Sequence, residues 1–95
     1  MKIVISSEAV LVIKELAKFV EIKNTPGSGK RFASKFLKLI KSKLLKFNQY
    51  RLCKYPEFKD KQWRCLVFKE WIIVYVTNPN QIEIKLIIHG SLLNY

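Results

Sequence analysis

The sequence predicts an α+β fold in which a helical hairpin packs on one face of a mainly antiparallel four-stranded sheet, in the order β-α-α-β-β-β. Half of residues 63–90 are β-branched or aromatic, and the stretch breaks only at two short polar turns, which is typical of a three-stranded antiparallel meander. Residues 7–47 contain two stretches with apolar residues at helical spacing, separated by a loop with Pro and Gly. A length of 95 residues suits one domain, 1–95, with a single core.

The chain begins with a short strand and an amphipathic helix. Residues 2–5 alternate polar with apolar side chains and suit a strand added to the sheet. Ser6 or Ser7 can cap a helix that runs to about Lys23, with Glu8 in its first turn. We expect all apolar residues of this helix to lie in the core rather than in a ligand groove. These residues are Ala9, Val10, Leu11, Val12, Ile13, Leu16, Ala17, Phe19, Val20 and Ile22.

A turn and a basic helix follow. Residues 24–29 lack the spacing and the preceding strand of a phosphate-binding loop, so we interpret them as a turn. Residues 30–47 form a helix with an apolar side and a basic side. A basic amphipathic helix could lie on a membrane surface, but two consecutive helices with apolar faces more simply form a hairpin on the sheet. The basic side consists of Lys30, Arg31, Lys35, Lys38, Lys41 and Lys46.

Residues 48–62 form a polar connector in which aromatic and basic residues interleave. Such residues could stack bases and hold phosphates, or Tyr55, Pro56 and Phe58 could seal the end of the core. The sequence leaves both alternatives open. The candidate cations for binding a target or a nucleic acid are Lys54, Lys59, Lys61 and Arg64.

The meander is expected to turn through Lys69 and Glu70 and again through residues 78–80. Side chains alternate between the two faces of a strand, so we expect the last strand to bury one face throughout and to begin burying both near its end. The residues expected on the face buried throughout are Ile82, Ile84, Leu86 and Ile88.

The net charge of +11 is concentrated in the middle of the chain. Residues 24–64 hold twelve Lys or Arg against two acids, which gives a local net charge of +10. Such a patch attracts phosphate backbones or acidic protein surfaces, with an affinity that falls as salt screens it. A solvated, lysine-rich helix face explains the same charge equally well, so composition alone leaves the role of the patch open.

The sequence shows no sign of a metal site, a cofactor or a membrane segment. Cys53 and Cys65 lack the paired spacing of metal ligands, so we expect reduced thiols and no bound metal. The N-terminal residues lack the apolar run of a signal peptide, and no apolar stretch approaches the roughly 20 residues of a membrane span. We therefore expect a cytoplasmic protein that does not enter membranes.

Four short motifs carry a resemblance to a known family. They are Tyr-Pro-Glu at 55–57, Arg64, an aromatic followed by Ile-Ile-Val-Tyr at 71–75, and Ile-Ile-His-Gly-Ser at 87–91. With them, nearly the whole chain resembles the RelE/ParE superfamily of type II toxin-antitoxin (plasmid stabilisation) toxins. The resemblance implies a small basic toxin neutralised by an antitoxin. We expect that antitoxin to be acidic and amphipathic, and the toxin to form a homodimer or a toxin-antitoxin hetero-oligomer.

Members of this superfamily act in two ways. RelE-like members cut messenger RNA on the ribosome, whereas ParE-like members inhibit DNA gyrase by binding. The nucleases commonly carry an Arg after the aromatic of the third strand and another after the last strand, and here these places look like Ile72 and Leu92. Neither side chain can offset phosphate charge, so the resemblance favours a ParE-like inhibitor, with gyrase rather than the ribosome and its message as target.

Three residues remain as candidates for catalysis: Arg64, His89 and Tyr95. His89 could exchange protons near neutral pH, although a lone His at a strand end is more often structural. We expect Arg64 to contact a carboxylate of a target or antitoxin, with a structural salt bridge as the alternative. A basic nucleic-acid-binding module without toxicity is the third functional hypothesis.

Overall fold

The computed structural model describes residues 2–90 and shows two long helices packed on a four-stranded sheet. The predicted α+β class and the order β-α-α-β-β-β are confirmed, with one additional short helix in the connector. The elements are β1 (Lys2–Ile5), α1 (Ser7–Lys23), α2 (Ser28–Lys46), α3 (Pro56–Lys59), β2 (Arg64–Phe68), β3 (Trp71–Thr77) and β4 (Gln81–His89).

The sheet has the strand order β1-β4-β3-β2. The pairs β2–β3 and β3–β4 are antiparallel, and their turns fall at residues 69–70 and 78–80, as predicted. β1 pairs with β4 in parallel, with Lys2 opposite Gln81 and Ile5 opposite Ile84, so the sheet is mixed. A parallel pair needs a long crossover, and the helical hairpin is part of the chain that provides it.

Ser6 fixes the start of α1 against β4. Its hydroxyl accepts a hydrogen bond from the Ala9 amide at 3.1 Å, as an N-cap does, and donates to the carbonyl of Lys85 at 2.6 Å. One side chain therefore sets both the first turn of α1 and the position of that helix relative to the sheet.

α2 begins at Ser28, two residues before the predicted start. The Glu21 carboxylate, in the last turn of α1, accepts hydrogen bonds from the amides of Gly27 at 2.7 Å and Gly29 at 2.8 Å. Gly27 has a φ of 87°, which suits a residue without a Cβ. The first amides of α2 have no partner inside the helix, and a carboxylate from the preceding helix supplies one.

Both faces of the sheet contribute buried residues. The face toward the helices forms a large core, in which Ile73 and Tyr75 of β3 pack against Ile40 and Leu44 of α2 and other residues. The opposite face is covered by the connector, through a cluster of Cys53, Tyr55, Phe58, Ile72 and Val74. Of the two alternatives for the connector aromatics, the structure supports sealing of the core.

β4 changes faces at a bulge. One residue of β4, Lys85, has no opposite residue on β3. Before it, Ile84 packs with the helices; after it, Ile87 does so, while Leu86 and Ile88 pack on the connector side. The expectation that one set of alternating residues lies on a single buried face is wrong beyond Ile84, because an extra residue reverses the alternation.

The expectation that every apolar residue of α1 lies in the core is also wrong. Ala9 and Ile13 are buried, whereas Leu11, Phe19 and Ile22 are 58%, 60% and 81% exposed. With about 3.6 residues per turn, the three exposed residues lie on the side of the helix that faces away from the core. α1 therefore carries two apolar stripes, and its outer stripe consists of Leu11, Phe19 and Ile22.

Cys53 and Cys65 form a disulfide, so the expectation of reduced thiols is wrong. The connector pairs with the start of β2 through a bridge between Leu52 and Arg64, and the Cys53 amide donates to the Trp63 carbonyl at 2.9 Å. This pairing brings the Cα atoms of the two cysteines to 4.9 Å. The spacing of the cysteines in sequence could not reveal that approach, because it arises when the connector folds back on the strand.

Candidate functional site

Arg64, the residue expected to meet a carboxylate of a partner, binds within the chain. Its Nη1 donates a hydrogen bond of 2.5 Å to the carbonyl of Tyr50. Next to it, the hydroxyl of Tyr75 donates to the Asn48 carbonyl at 2.8 Å and accepts from the Tyr50 amide at 3.3 Å. Arg64 and Tyr75 are opposite each other in β2 and β3, so together they fasten the connector to the sheet.

Burial keeps the Tyr75 hydroxyl in its neutral, donating form. Burial raises the pKa of Tyr75 above its usual value, while its hydrogen bond with the Tyr50 backbone and the charge of Arg64 act in the opposite direction. A tyrosine is already protonated at neutral pH, and the raised pKa of Tyr75 extends the range in which it donates its hydrogen bond to Asn48.

The other candidate cations lie apart from one another. Lys54 borders a concavity on the connector side of β2, together with Arg51. Lys61 borders a different concavity, and its Nζ lies 4.6 Å from the centre of the Trp63 ring. Lys59 is in the last turn of α3. The structure therefore does not gather Lys54, Lys59, Lys61 and Arg64 around one ligand-sized site.

His89 lies at the other end of the sheet from Arg64. Its ring packs edge-on against Trp71, with 5.0 Å between ring centres. Arg64 of β2 is opposite Tyr75 of β3, and His89 of β4 is opposite Trp71 of β3. The backbones of Arg64 and His89 are therefore separated by four residues along the strands and two strand spacings across the sheet, which together give roughly 16 Å. Because Arg64 is already bonded to the Tyr50 carbonyl, this separation of the two backbones disfavours contact of both side chains with one phosphodiester. Tyr95, the third candidate for catalysis, lies outside the described residues.

Ile72 occupies a buried apolar position. It is 7% exposed and packs with Cys53 and Tyr55 beneath the connector. Position 72, which the resemblance suggests for an Arg of the nucleases, therefore holds an uncharged side chain that is closed to a phosphate. Leu92, the other such place, lies outside the described residues.

An apolar groove of about 590 Å³ lies between α1 and the ends of β3 and β4. Leu11 and Phe19 of the outer stripe form one wall, and Trp71 and Ile88 contribute to the other. The sequence contained a signal for this groove, because α1 has more apolar residues than one buried face can hold. Helical spacing alone does not reveal the groove, because it does not distinguish apolar residues of the core from apolar residues of an exposed stripe.

The groove also borders a free strand edge. β1 pairs with β4 only as far as Ile84, so within the described residues no strand lies beside residues 86–89 on that edge. Glu8 and Glu15 border the groove and give it an acidic rim. An apolar groove beside an open strand edge is suited to a helical or extended segment of another polypeptide.

Residues 2–90 contain neither a helix suited to cross a membrane nor a cluster of metal ligands. No helix there has both the length and the apolar composition that crossing a bilayer requires. No three His, Cys, Asp or Glu side chains in the same range are grouped to hold a metal ion.

Comparison with known proteins identifies the family. The sequence matches the family described as "ParE toxin of type II toxin-antitoxin system, parDE" over residues 3–92, which include both long helices and all but the first residue of the sheet. No curated protein matches the sequence significantly. Toxins of this family have an antitoxin partner. Because the match covers nearly the whole chain, the chain belongs to the ParE toxins of type II toxin-antitoxin systems, within the RelE/ParE superfamily.

Proposed function

We propose that this toxin inhibits growth by binding DNA gyrase and not by cutting messenger RNA. The observation that carries the proposal is Ile72, which is buried where the nucleases of the superfamily commonly have an Arg. Cleavage of RNA develops negative charge on the phosphate, and a buried isoleucine cannot stabilise it. Leu92, at the second such place in the sequence, supports the same conclusion.

The separation of Arg64 from His89 also supports binding. A ribonuclease needs a cation and a proton-transferring group within hydrogen-bond reach of the same phosphodiester. Arg64 is bonded to the connector, and His89 lies roughly 16 Å away at the other end of the sheet. This separation argues against a reaction centre that both side chains serve.

Two assays on the purified toxin test this proposal. We expect the toxin to block supercoiling of plasmid DNA by gyrase and to leave ribosome-bound messenger RNA intact in a translation extract. The toxin premixed with its antitoxin is the control for both assays.

Codon-specific cleavage that is lost in Arg64→Ala or His89→Ala would contradict the proposal and favour a RelE-like ribonuclease. The absence of growth inhibition on induced expression, combined with salt-sensitive binding of nucleic acid, would favour a basic module without toxicity.

We further propose that the apolar groove takes a segment of the antitoxin. The outer stripe of α1 leaves large apolar side chains in solvent, which is typical of a surface that a partner covers. The net charge of +11 attracts an acidic antitoxin over long range. At the groove itself, the rim formed by Glu8 and Glu15 favours a segment with apolar anchors and a basic residue next to them.

A pair of variants tests the groove. Phe19→Ser removes an exposed ring from the groove wall, and Val67→Ser is the matched control because Val67 is 68% exposed on β2, away from the groove. We expect Phe19→Ser to weaken the affinity for the antitoxin, the product of the adjacent reading frame, about thirtyfold, as at an interface hot spot. The Val67→Ser variant should bind within about threefold of the original chain. Equal affinities of the two variants would show that the antitoxin docks elsewhere.

A further inference from the structure

α2 presents a cationic face that forms no ion pair with another residue of the described range 2–90. The helix contains seven Lys or Arg and no Asp or Glu. Phe36, Ile40 and Leu44 are buried against the core, while the six basic residues predicted on the other side are exposed. In the part of the chain that the structure describes, the only ion pair within 4.0 Å joins Lys85 to Glu83, both on β4.

In the N-terminal half of the helix, this charge does not help the helix to form. Arg31 and Lys35 are one turn apart, where like charges repel, and Lys30 and Arg31 lie in the first turn, where the helix dipole disfavours cations. Solubility alone would be served equally well by a mixture of both charge signs. The uniform positive charge therefore indicates a polyanionic partner.

The geometry of the face suits a row of phosphates. With a rise of about 1.5 Å per residue, the outward side chains from Arg31 to Lys41 extend over about 15 Å. At the start of the row, a concavity of about 650 Å³ is bordered by Arg31, Ser34, Lys35 and Lys38, which combine cations with a hydroxyl donor. Duplex DNA carries one negative charge per about 1.7 Å of its axis, so several phosphates can face a row of this length.

The side chains between the cations favour duplex DNA over other polyanions. Phe32 and Phe36 pack toward the core, so the outward side of this row offers no ring on which an unpaired base could stack. Protein interfaces are depleted of Lys at their centres and enriched in aromatic residues, which is the opposite of this face. Cations and serine hydroxyls are the usual partners of the sugar-phosphate backbone.

From this face we infer a second binding surface: the outward side of α2 binds the backbone of duplex DNA without reading its sequence. The surface is separate from the apolar groove, because none of the residues that border one borders the other. It also does not depend on gyrase as the target, because the contact needs only the chain and the duplex.

Two variants with matched charge test the inference. Lys35→Gln/Lys38→Gln removes two charges from the face of α2, and Lys14→Gln/Lys18→Gln removes two exposed charges from α1. Binding of the purified chain to a fluorescent duplex of arbitrary sequence is measured by anisotropy from low to moderate salt. We expect the α2 variant to bind DNA about tenfold more weakly at low salt. Its plot of log K against log salt should also be less steep, with a slope smaller in magnitude by about 2. The α1 variant should keep the affinity and the slope of the original chain.

Three outcomes would overturn the inference. Equal losses in the two variants would show that net charge, and not this face, binds DNA. Tighter binding to a single strand of the same length would indicate base contacts that the face lacks. Polyglutamate and unlabelled duplex are compared as competitors at equal total charge. If polyglutamate displaces the labelled duplex equally well, the face binds an acidic protein instead of DNA. Circular dichroism on both variants verifies that they retain the fold.

Discussion

Gly29 sets how closely the two long helices approach each other. A Cβ at this position would lie 2.2 Å from the backbone oxygen of Ala17 in α1, a distance that requires the helices to move apart. We predict that Gly29→Ala lowers the free energy of unfolding by about 2–3 kcal/mol. The better helix propensity of Ala, at most about 1 kcal/mol, does not compensate.

Urea unfolding measures this effect. Ser34→Ala is the matched control, because Ser34 is exposed on the same helix and its change should stay within about 0.5 kcal/mol. If Gly29→Ala is as stable as the original chain, the helices do not pack as closely as described.

Glu21 makes the hairpin sensitive to acid. Hydrogen bonds from the backbone amides of Gly27 and Gly29 lower the pKa of Glu21, with a smaller contribution from the charge of Arg31. A carboxylate whose pKa is lower in the folded state contributes stability that is present above its unfolded pKa and is lost as the pH falls through its folded pKa. We predict that Glu21→Gln lowers the melting temperature at pH 7 and reduces its fall toward acid pH.

Melting temperatures between neutral pH and about pH 2, below the usual range of carboxyl pKa values, measure that difference. Glu15→Gln serves as the control, because Glu15 is an exposed carboxylate on the same helix. The role of this carboxylate is disproved if the melting temperatures of Glu21→Gln and of the control fall equally steeply toward acid pH.

At the level of elements, the connector depends on the disulfide and on the residues that hold its first part. The Cys53–Cys65 bond, which joins residues 12 apart, restricts the unfolded chain. We predict that reduction lowers the free energy of unfolding by about 3 kcal/mol, as expected for a closed loop of this size. Each kcal/mol corresponds to about 4–8 °C in melting temperature for a domain of this length.

Thermal unfolding with and without a thiol-free reductant measures this effect. The double variant Cys53→Ala/Cys65→Ala is the control, and its melting temperature should not respond to the reductant. If the original chain does not respond either, the connector is held by Arg64 and Tyr75 alone.

The elements were predictable where their signals are local. The bounds of β1 follow from the alternation of polar and apolar side chains, and those of α1 from the helical spacing of its apolar residues. Both patterns involve only residues that are close in sequence, and the structure reproduces both sets of bounds. The bulge at Lys85 was not predictable, because the extra residue is defined only by the register against β3. The disulfide was missed for the same kind of reason, since Cys65 meets Cys53 only after the connector has folded back.

At the scale of the whole molecule, the sequence predicted the position of the basic surface better than the positions of the residues around a binding site. The basic side of α2 was predicted correctly as an exposed surface, because a helix face can be derived from spacing alone. The separation of Lys54, Lys61 and Arg64 was not predictable, because it depends on how the connector wraps around β2. The apolar groove is also a tertiary feature, formed where the outer stripe of α1 meets the end of β4.

The parallel pairing of β1 with β4 also has a consequence for how the toxin is made. Lys2 lies opposite Gln81, so 79 residues must be translated before the first strand meets its partner. At roughly 5–20 residues per second, β1 waits about 4–16 s for β4, and the residues of the helical hairpin are made before the meander on which they pack. The apolar faces of both helices therefore lack their sheet partner until β4 has been made.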